Sequence, residues 1–162
     1  MSKNKIKTID ELKEMAKTLK NQNKKIVTTN GVFDILHIGH IRYLQPAKKL
    51  GDVLIVAVNS DSSVKKIKDP GRPLNNEKDR AEALAALGCV DYVAIFAEDN
   101  PINILEIIKP DVHVKGGDYK IEKIIEKDVV EKNNGKIVLI PEVKGYSTTN
   151  LIKKIVRLYR QD

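Results

Sequence analysis

Five short apolar runs, each separated from the next by a stretch of helical period, set the limits on what this chain folds into. Residues 25–28, 53–58, 91–97, 112–114 and 136–140 are apolar without strict alternation and rich in Val and Ile, as strands buried on both faces are. Between them the apolar positions return at three- and four-residue steps: Ile41, Leu44, Ala47 and Leu50, then Ala81, Leu84, Ala85 and Leu87, then Ile102, Leu105 and Ile108. Those are the buried stripes of helices. Strand and helix in strict alternation predict an α/β fold with a doubly wound, parallel, five-stranded sheet.

At 162 residues the chain reads as a single domain able to bury a sizeable core. Residues 1–24 are expected to be an N-terminal helix and polar connector, and residues 25–162 the main domain. Thr8 and Glu11 stand at capping-box spacing ahead of Leu12, Met15, Ala16 and Leu19. Further helices are expected at 75–87, capped by Asn75 or Asn76, after Pro101 with the proline in first position, at 121–133, and from Leu151 to the C-terminal end. Cys89 is the single cysteine; no internal disulfide is possible, and its apolar neighbours suggest an inert buried thiol in a reducing cytoplasm. No signal peptide and no membrane span is evident. The net charge of +7 would suit nucleic acid, but the lysines are dispersed among glutamates and aromatics make up only 4%. Solvating charge explains the balance better, with attraction of small phosphates as a by-product.

The chemistry concentrates in residues 28–40, where a buried strand gives way to a helix. Free N–H groups and the aligned peptide dipoles at a helix start favour an anion. His37 and His40, three residues apart, share one side of that turn, and each ring can donate an N–H to an oxyanion. Gly39 between them lets phosphate approach backbone, and Gly31 serves the turn. Neither a Gly-x-Gly-x-x-Gly nor a P-loop is present, so the histidine pair takes the place of the glycine cradle. Asp34 alone reads as a hydrogen-bonding residue of the turn.

Other candidates lie at the carboxyl ends of later strands, the edge at which open α/β sheets bind ligands. Asn59-Ser60-Asp61-Ser62-Ser63 is a polar cluster followed by Lys65, Lys66, Lys68 and Arg72, either a solvated loop or a phosphate grip. Arg80, early in a helix where the dipole disfavours cations, faces a bound phosphate or pairs with Glu77. Lys115-Gly116-Gly117-Asp118-Tyr119 is a turn or a close approach to a flat ligand. Ser147, Thr148 and Thr149 cap the last helix and suit phosphate oxygens. His113, inside a strand, reads as core.

Residues 31–40, Gly-Val-Phe-Asp-Ile-Leu-His-Ile-Gly-His, resemble the signature of the HIGH-motif nucleotidyltransferases, Rossmann-like enzymes that join a nucleoside triphosphate to a phosphorylated small molecule and release pyrophosphate. Class I aminoacyl-tRNA synthetases share the tetrapeptide but also carry a lysine-serine signature that this sequence lacks. With Asn59-Ser60-Asp61, Lys65, Lys66, Arg72-Pro73, Arg80, the Lys115 to Tyr119 run and Tyr146-Ser147-Thr148-Thr149-Asn150, the resemblance over residues 25–155 is to the stand-alone form of the adenylyltransferases that make ADP-heptose from D-glycero-β-D-manno-heptose 1-phosphate. It implies that His37 and His40 stabilise charge on the α-phosphate and that Lys65 or Lys66 faces the attacking phosphate. Asn59, Asp61, Arg72 and Arg80 would then serve the sugar phosphate. Thr29, Asn30, Gly31, Phe33, Gly39, Lys115, Gly116, Gly117, Asp118, Ser147, Thr148 and Thr149 would hold the nucleotide. Mg²⁺ would enter with ATP, without a dedicated protein metal site, and the enzyme would be a homodimer with no nucleic-acid or membrane partner. Cytidylyltransferases acting on glycerol 3-phosphate are the nearest alternative, but they commonly carry an arginine shortly before the late motif, where Val143-Lys144-Gly145 has none. A guanylyl-transferring relative, or a non-catalytic nucleotide- or RNA-binding module on the same fold, would share much of the pattern.

Overall fold

The computed structural model describes residues 2–117, 120–141, 143 and 145–160. Strands β1 (Ile26–Gly31), β2 (Val53–Asn59), β3 (Tyr92–Phe96), β4 (Val112–Gly116) and β5 (Lys136–Ile140) form one parallel sheet in the order β3-β2-β1-β4-β5. Around it lie α1 (Ile9–Asn21), α2 (Ile38–Lys48), α3 (Asp61–Ile67), α4 (Glu77–Ala85), α5 (Ile102–Ile108), α6 (Lys127–Lys132) and α7 (Thr148–Tyr159). The expected doubly wound sheet is thus present, with β1 at its centre.

The strands read as continuous apolar runs because both faces are covered. On one face Val27, Leu54, Val56, Val112 and Val114 pack with Leu44 and Ala47 of α2 and Ala81 and Leu84 of α4. On the other Ile26, Ile55, Ala57 and Ala94 pack with Leu12 and Ala16 of α1 and Ile104 and Ile108 of α5. Truncating any of the larger of these to alanine would cost about 2–5 kcal/mol. Helix α1 carries the expected capping box, with Thr8 Oγ1 accepting from Glu11 N at 3.2 Å and the Glu11 carboxylate accepting from Thr8 N at 2.7 Å.

Register is set at the amino ends of the strands. Asp52, Asp91 and Asp111, each one residue before a strand, accept the N–H of Lys25, Leu54 and Ile26 respectively, every one at 2.7 Å. The carboxyl ends are left to diverge. Pairing of β1 with β4 ends at Thr29 and Val114, whereas β1 stays with β2 as far as Gly31 and β4 with β5 as far as Gly116. The crevice that opens there is the switch point at which the winding reverses, and ligands of such sheets bind at it.

Several elements differ from expectation. The polar cluster after β2 is not a loop: Ser60 caps α3, its Oγ accepting from Ser63 N at 3.1 Å, and Val64 anchors the helix in the core. One apolar anchor in seven residues is too few to show a period. The single helix expected over 121–133 is a short 3-10 turn (Ile121–Lys123) followed by α6. Ile124 and Val130 dock beside Leu105 and Ile137, and the Glu126 side chain turns inward between them and the sheet. Pro101 sits at the N-cap of α5, not in its first turn. Cys89 is half-buried, and burial raises its thiol pKa first of all. His113 is fully buried, as expected of core.

Candidate active site

A cleft of about 450 Å³ lies over the diverging ends of β1 and β4. Its floor is the turn after β1 and the start of α2. His37 is the N-cap of α2 in extended backbone, and His40 lies one turn on. Their rings stack with centroids 3.9 Å apart and planes 23° from parallel. Phe33 closes the side, its ring centroid 5.2 Å from that of His40. Phe33 adopts a left-handed backbone (φ 49°), uncommon for a non-glycine residue and often a mark of a functional turn.

The pair is electrically neutral. His40 Nδ1 accepts the backbone N–H of His37 at 3.4 Å, which leaves its proton on Nε2. Burial, and then the neighbouring His37, push the His40 pKa down to about 4, and burial also lowers that of His37. His37 Nδ1 is buried with no hydrogen-bond partner among the described residues. Two imidazolium ions stacked this closely would repel, and with burial this keeps both rings neutral donors near neutral pH.

Linkage gives this a measurable sign. His40, and His113 with a pKa pushed down to about 3 by burial and then by Lys115, both sit below the ordinary 6.5. Their neutral forms favour the fold fully above pH 6.5, and that stability is lost as pH falls through about 4 and then about 3. An NMR titration of the ligand-free protein is expected to show His40 half-protonated near pH 4, with Tm already declining just below pH 6.5. A His40 midpoint near the ordinary value would contradict its burial.

Gly39 is also required by the protein's own packing. A Cβ there would lie 2.9 Å from the His37 ring and 2.9 Å from Tyr146 Cβ, so the missing side chain makes room for both. Tyr146, with Arg42 Cζ 5.4 Å from its ring centroid, seats the start of α7 against the signature. Ser147 caps α7, accepting from Asn150 N at 3.0 Å, and Thr148 and Thr149 line the cleft beside it. Two helix starts, those of α2 and α7, therefore border one cavity.

The opposite wall comes from the loop after α3. Asp34, only 3% exposed, accepts from Arg72 Nε at 2.5 Å, Leu74 N at 2.8 Å and Asn75 N at 2.9 Å. Burial pushes its carboxyl up, but the Asn75 and Leu74 N–H groups and the Arg72 guanidinium outweigh that and hold it below the usual carboxylate range. Asp34 thus pins Arg72 at the cleft, where Lys68 and Asp69 join it.

Other expected site residues fall elsewhere. Arg80 is buried among carbonyls, donating to Val32 O at 2.5 Å, Asn59 O at 2.7 Å and Asn75 O at 3.0 Å, and to Asp61 Oδ1 at 2.8 Å. It is a latch behind the signature, with Asp61 as its counter-ion, and neither lines the cleft. Asn59 is buried, donating to Ser63 Oγ at 3.0 Å. Lys65 and Lys66 are exposed on α3, Lys66 pairing with Asp99 at 3.0 Å, and the cleft has Lys68 instead. Thr29 is fully buried and bonded to Tyr43 at 2.6 Å. Lys115 turns to the far face of the sheet, 2.6 Å from Glu126 and 3.3 Å from Asn30 Oδ1. Asn30, Gly31, Phe33 and Gly116 do line the cleft, Gly117 follows in left-handed backbone, and Asp118 lies outside the described residues. Tyr43 was missed by the sequence reading, and Lys68 was read only as one member of the basic stretch. Tyr43 had a signal, standing one turn beyond His40 as a polar-tipped residue on the stripe of Leu44 and Ala47.

An open parallel sheet with a stacked histidine pair at its switch point, flanked by two helix starts, defines a nucleotide-handling α/β protein of the HIGH-signature type. The family model described as Cytidylyltransferase-like matches residues 28–154, and the chain belongs to that family. It is 52% identical over 158 residues to the bifunctional protein HldE of Geobacter metallireducens, covering 98% of this chain and 32% of that one. With the bifunctional protein HldE of Aliarcobacter butzleri the identity is 51%, over 93% of this chain and 31% of the relative. The chain thus spans about a third of the length of the curated relatives it matches. Among solved structures, a lipopolysaccharide core biosynthesis protein from Thermoplasma volcanium is 31% identical with a TM-score of 0.63, covering 76% of this chain and 99% of that one. A pantoate-beta-alanine ligase from Francisella tularensis shares the fold, with a TM-score of 0.60 at 19% identity over 97% of this chain and 79% of its own.

Proposed function

We propose that the chain transfers AMP from ATP to D-glycero-β-D-manno-heptose 1-phosphate, giving ADP-heptose and pyrophosphate. The observation that carries nucleotidyl transfer is the neutral, stacked His37–His40 pair lining a cleft between two helix starts. The heptose acceptor is supported by the motif resemblance and by the chain-long identity to HldE proteins.

In this reading an acceptor phosphate oxygen attacks the α-phosphorus in line as the bond to the bridging oxygen breaks, and pyrophosphate leaves with that electron pair. No enzyme-bound intermediate is needed. His37 and His40 donate N–H groups to the α-phosphate as its charge redistributes, acting as dipoles whose positions the helix start fixes. Ser147, Thr148 and Thr149, with the free N–H groups of α7, receive the β- and γ-phosphates. Arg72 and Lys68 face the acceptor phosphate, while Phe33, Asn30 and the Gly116-Gly117 turn border the nucleoside. Mg²⁺ enters as part of MgATP and offsets charge on the departing pyrophosphate. No three His, Cys, Asp or Glu side chains gather as a metal site among the described residues. A cytoplasmic homodimer belongs to the same reading.

The test is pyrophosphate release with Mg²⁺, crossing ATP, CTP and GTP against heptose 1-phosphate and glycerol 3-phosphate. Release with ATP and the heptose is expected. Release with CTP and glycerol phosphate would keep the histidine chemistry and replace both substrates, and silence throughout, alongside salt-sensitive RNA binding, would favour the binding-module alternative.

A further inference from the structure

We propose that Tyr43 is a positioning residue that holds the nucleotide crevice open by capping the split between β1 and β4. The inference rests on the nucleotide-transfer reading above. Where β1 and β4 part, Val114 is the last residue of β4 in register with β1. The Tyr43 hydroxyl adds a bond at that last paired residue, donating to Val114 O at 3.0 Å, whose carbonyl oxygen has two lone pairs to offer.

The phenol's one proton is thereby committed, and burial raises its pKa above the ordinary value, so it stays protonated. At 2.6 Å from the Tyr43 oxygen, the Thr29 hydroxyl must then be the donor of that second bond. A chain runs from the β1 side chain through the phenol to the β4 backbone, across the point of divergence. The ring itself fills the space beside Gly116, where a Cβ would come within 3.1 Å of Tyr43 Cε2. Its other side lines the cleft.

The opposite face of the sheet is stitched at the same level. Lys115 Nζ donates to Asn30 Oδ1 at 3.3 Å and to Glu126 Oε1 at 2.6 Å. With both faces tied, the distance between Asn30 and Gly116 across the crevice is set by side chains and not by sheet pairing. Tyr43 stands five residues after Ile38, the first residue of the helix that carries His40, so the prop also fixes crevice width relative to the histidines.

The test is MgATP affinity of the free protein, measured by calorimetry without acceptor, alongside steady-state constants. Tyr43→Phe keeps the ring and removes the hydroxyl. Its Kd and KM for MgATP are expected to rise about tenfold, roughly one buried hydrogen bond converted to affinity, with kcat within about threefold and the acceptor KM unchanged. Thr29→Val removes the other end of the chain and is expected to give the same selective defect, Thr29→Ser to restore affinity, and the Phe-Val double variant to be no worse than Tyr43→Phe. Equal MgATP affinity in Tyr43→Phe and wild type, or a uniform loss across both substrates that tracks Tm, would overturn the proposal. Wild-type protein that binds no nucleotide would overturn the functional reading and this inference together.

Discussion

His40→Ala lowers kcat by about two to three orders of magnitude, the usual cost of one fixed donor to a developing charge, while Tm drops by only a few degrees. The expectation follows from where the ring sits. Its Nδ1 is occupied by the His37 backbone N–H, so the remaining donor is Nε2 in a cleft-lining ring. Burial and His37 hold the pKa near 4, so the ring works as a neutral dipole and the loss should be much the same across the neutral pH range. Alanine also deletes a stacking partner of His37 and an edge contact of Phe33, worth about 1 kcal/mol, or roughly 2–4 °C in a chain of this size. Single-turnover rates with saturating MgATP, set beside thermal melts, separate the two effects. If melting temperature and rate collapse together, the ring is structural and the charge-stabilising role is lost; if kcat holds and only KM rises, the ring binds ground state and transition state alike.

How much of this was readable beforehand depends on whether a residue's job is local. The five strands were legible because helices cover both sheet faces, leaving no polar alternation to confuse a strand with a half-exposed one. The histidine pair was legible because spacing along one helix start puts both rings on one side. Residues that act across the fold were not. Arg80 read as a cation facing an anion at a helix start or pairing with Glu77, yet it satisfies carbonyls of Val32, Asn59 and Asn75, which meet only after three chain segments converge. Lys65 and Lys66 were preferred to Lys68 because α3 was not seen, and a helical turn decides which lysine reaches the cleft. Lys115 could have been placed by alternation alone: Val114 and Gly116 face α2 and the cleft, so the residue between them points to the other side.

Arg80→Leu is expected to be the most destabilising single change at the site, by about 3–5 kcal/mol, or roughly 10 °C or more in Tm. The guanidinium is 1% exposed and its donors are spread over three backbone carbonyls and Asp61. Leucine fills part of the volume but leaves those carbonyls dry and unpaired, and each such group is costly. Arg80→Lys keeps the charge but replaces a planar fork by one ammonium that cannot span the three carbonyls at once, so its Tm should fall between the other two. That variant also separates a latch from a phosphate ligand. Assayed well below its Tm, Arg80→Lys should bind MgATP and acceptor with wild-type constants, because the side chain does not line the cleft. A raised acceptor KM with unchanged Tm would instead put Arg80 on the substrate. A Leu variant that melts with wild type would mean that the signature turn holds its shape without the latch, leaving the Asp34 contacts to Arg72, Leu74 and Asn75 to do that work alone.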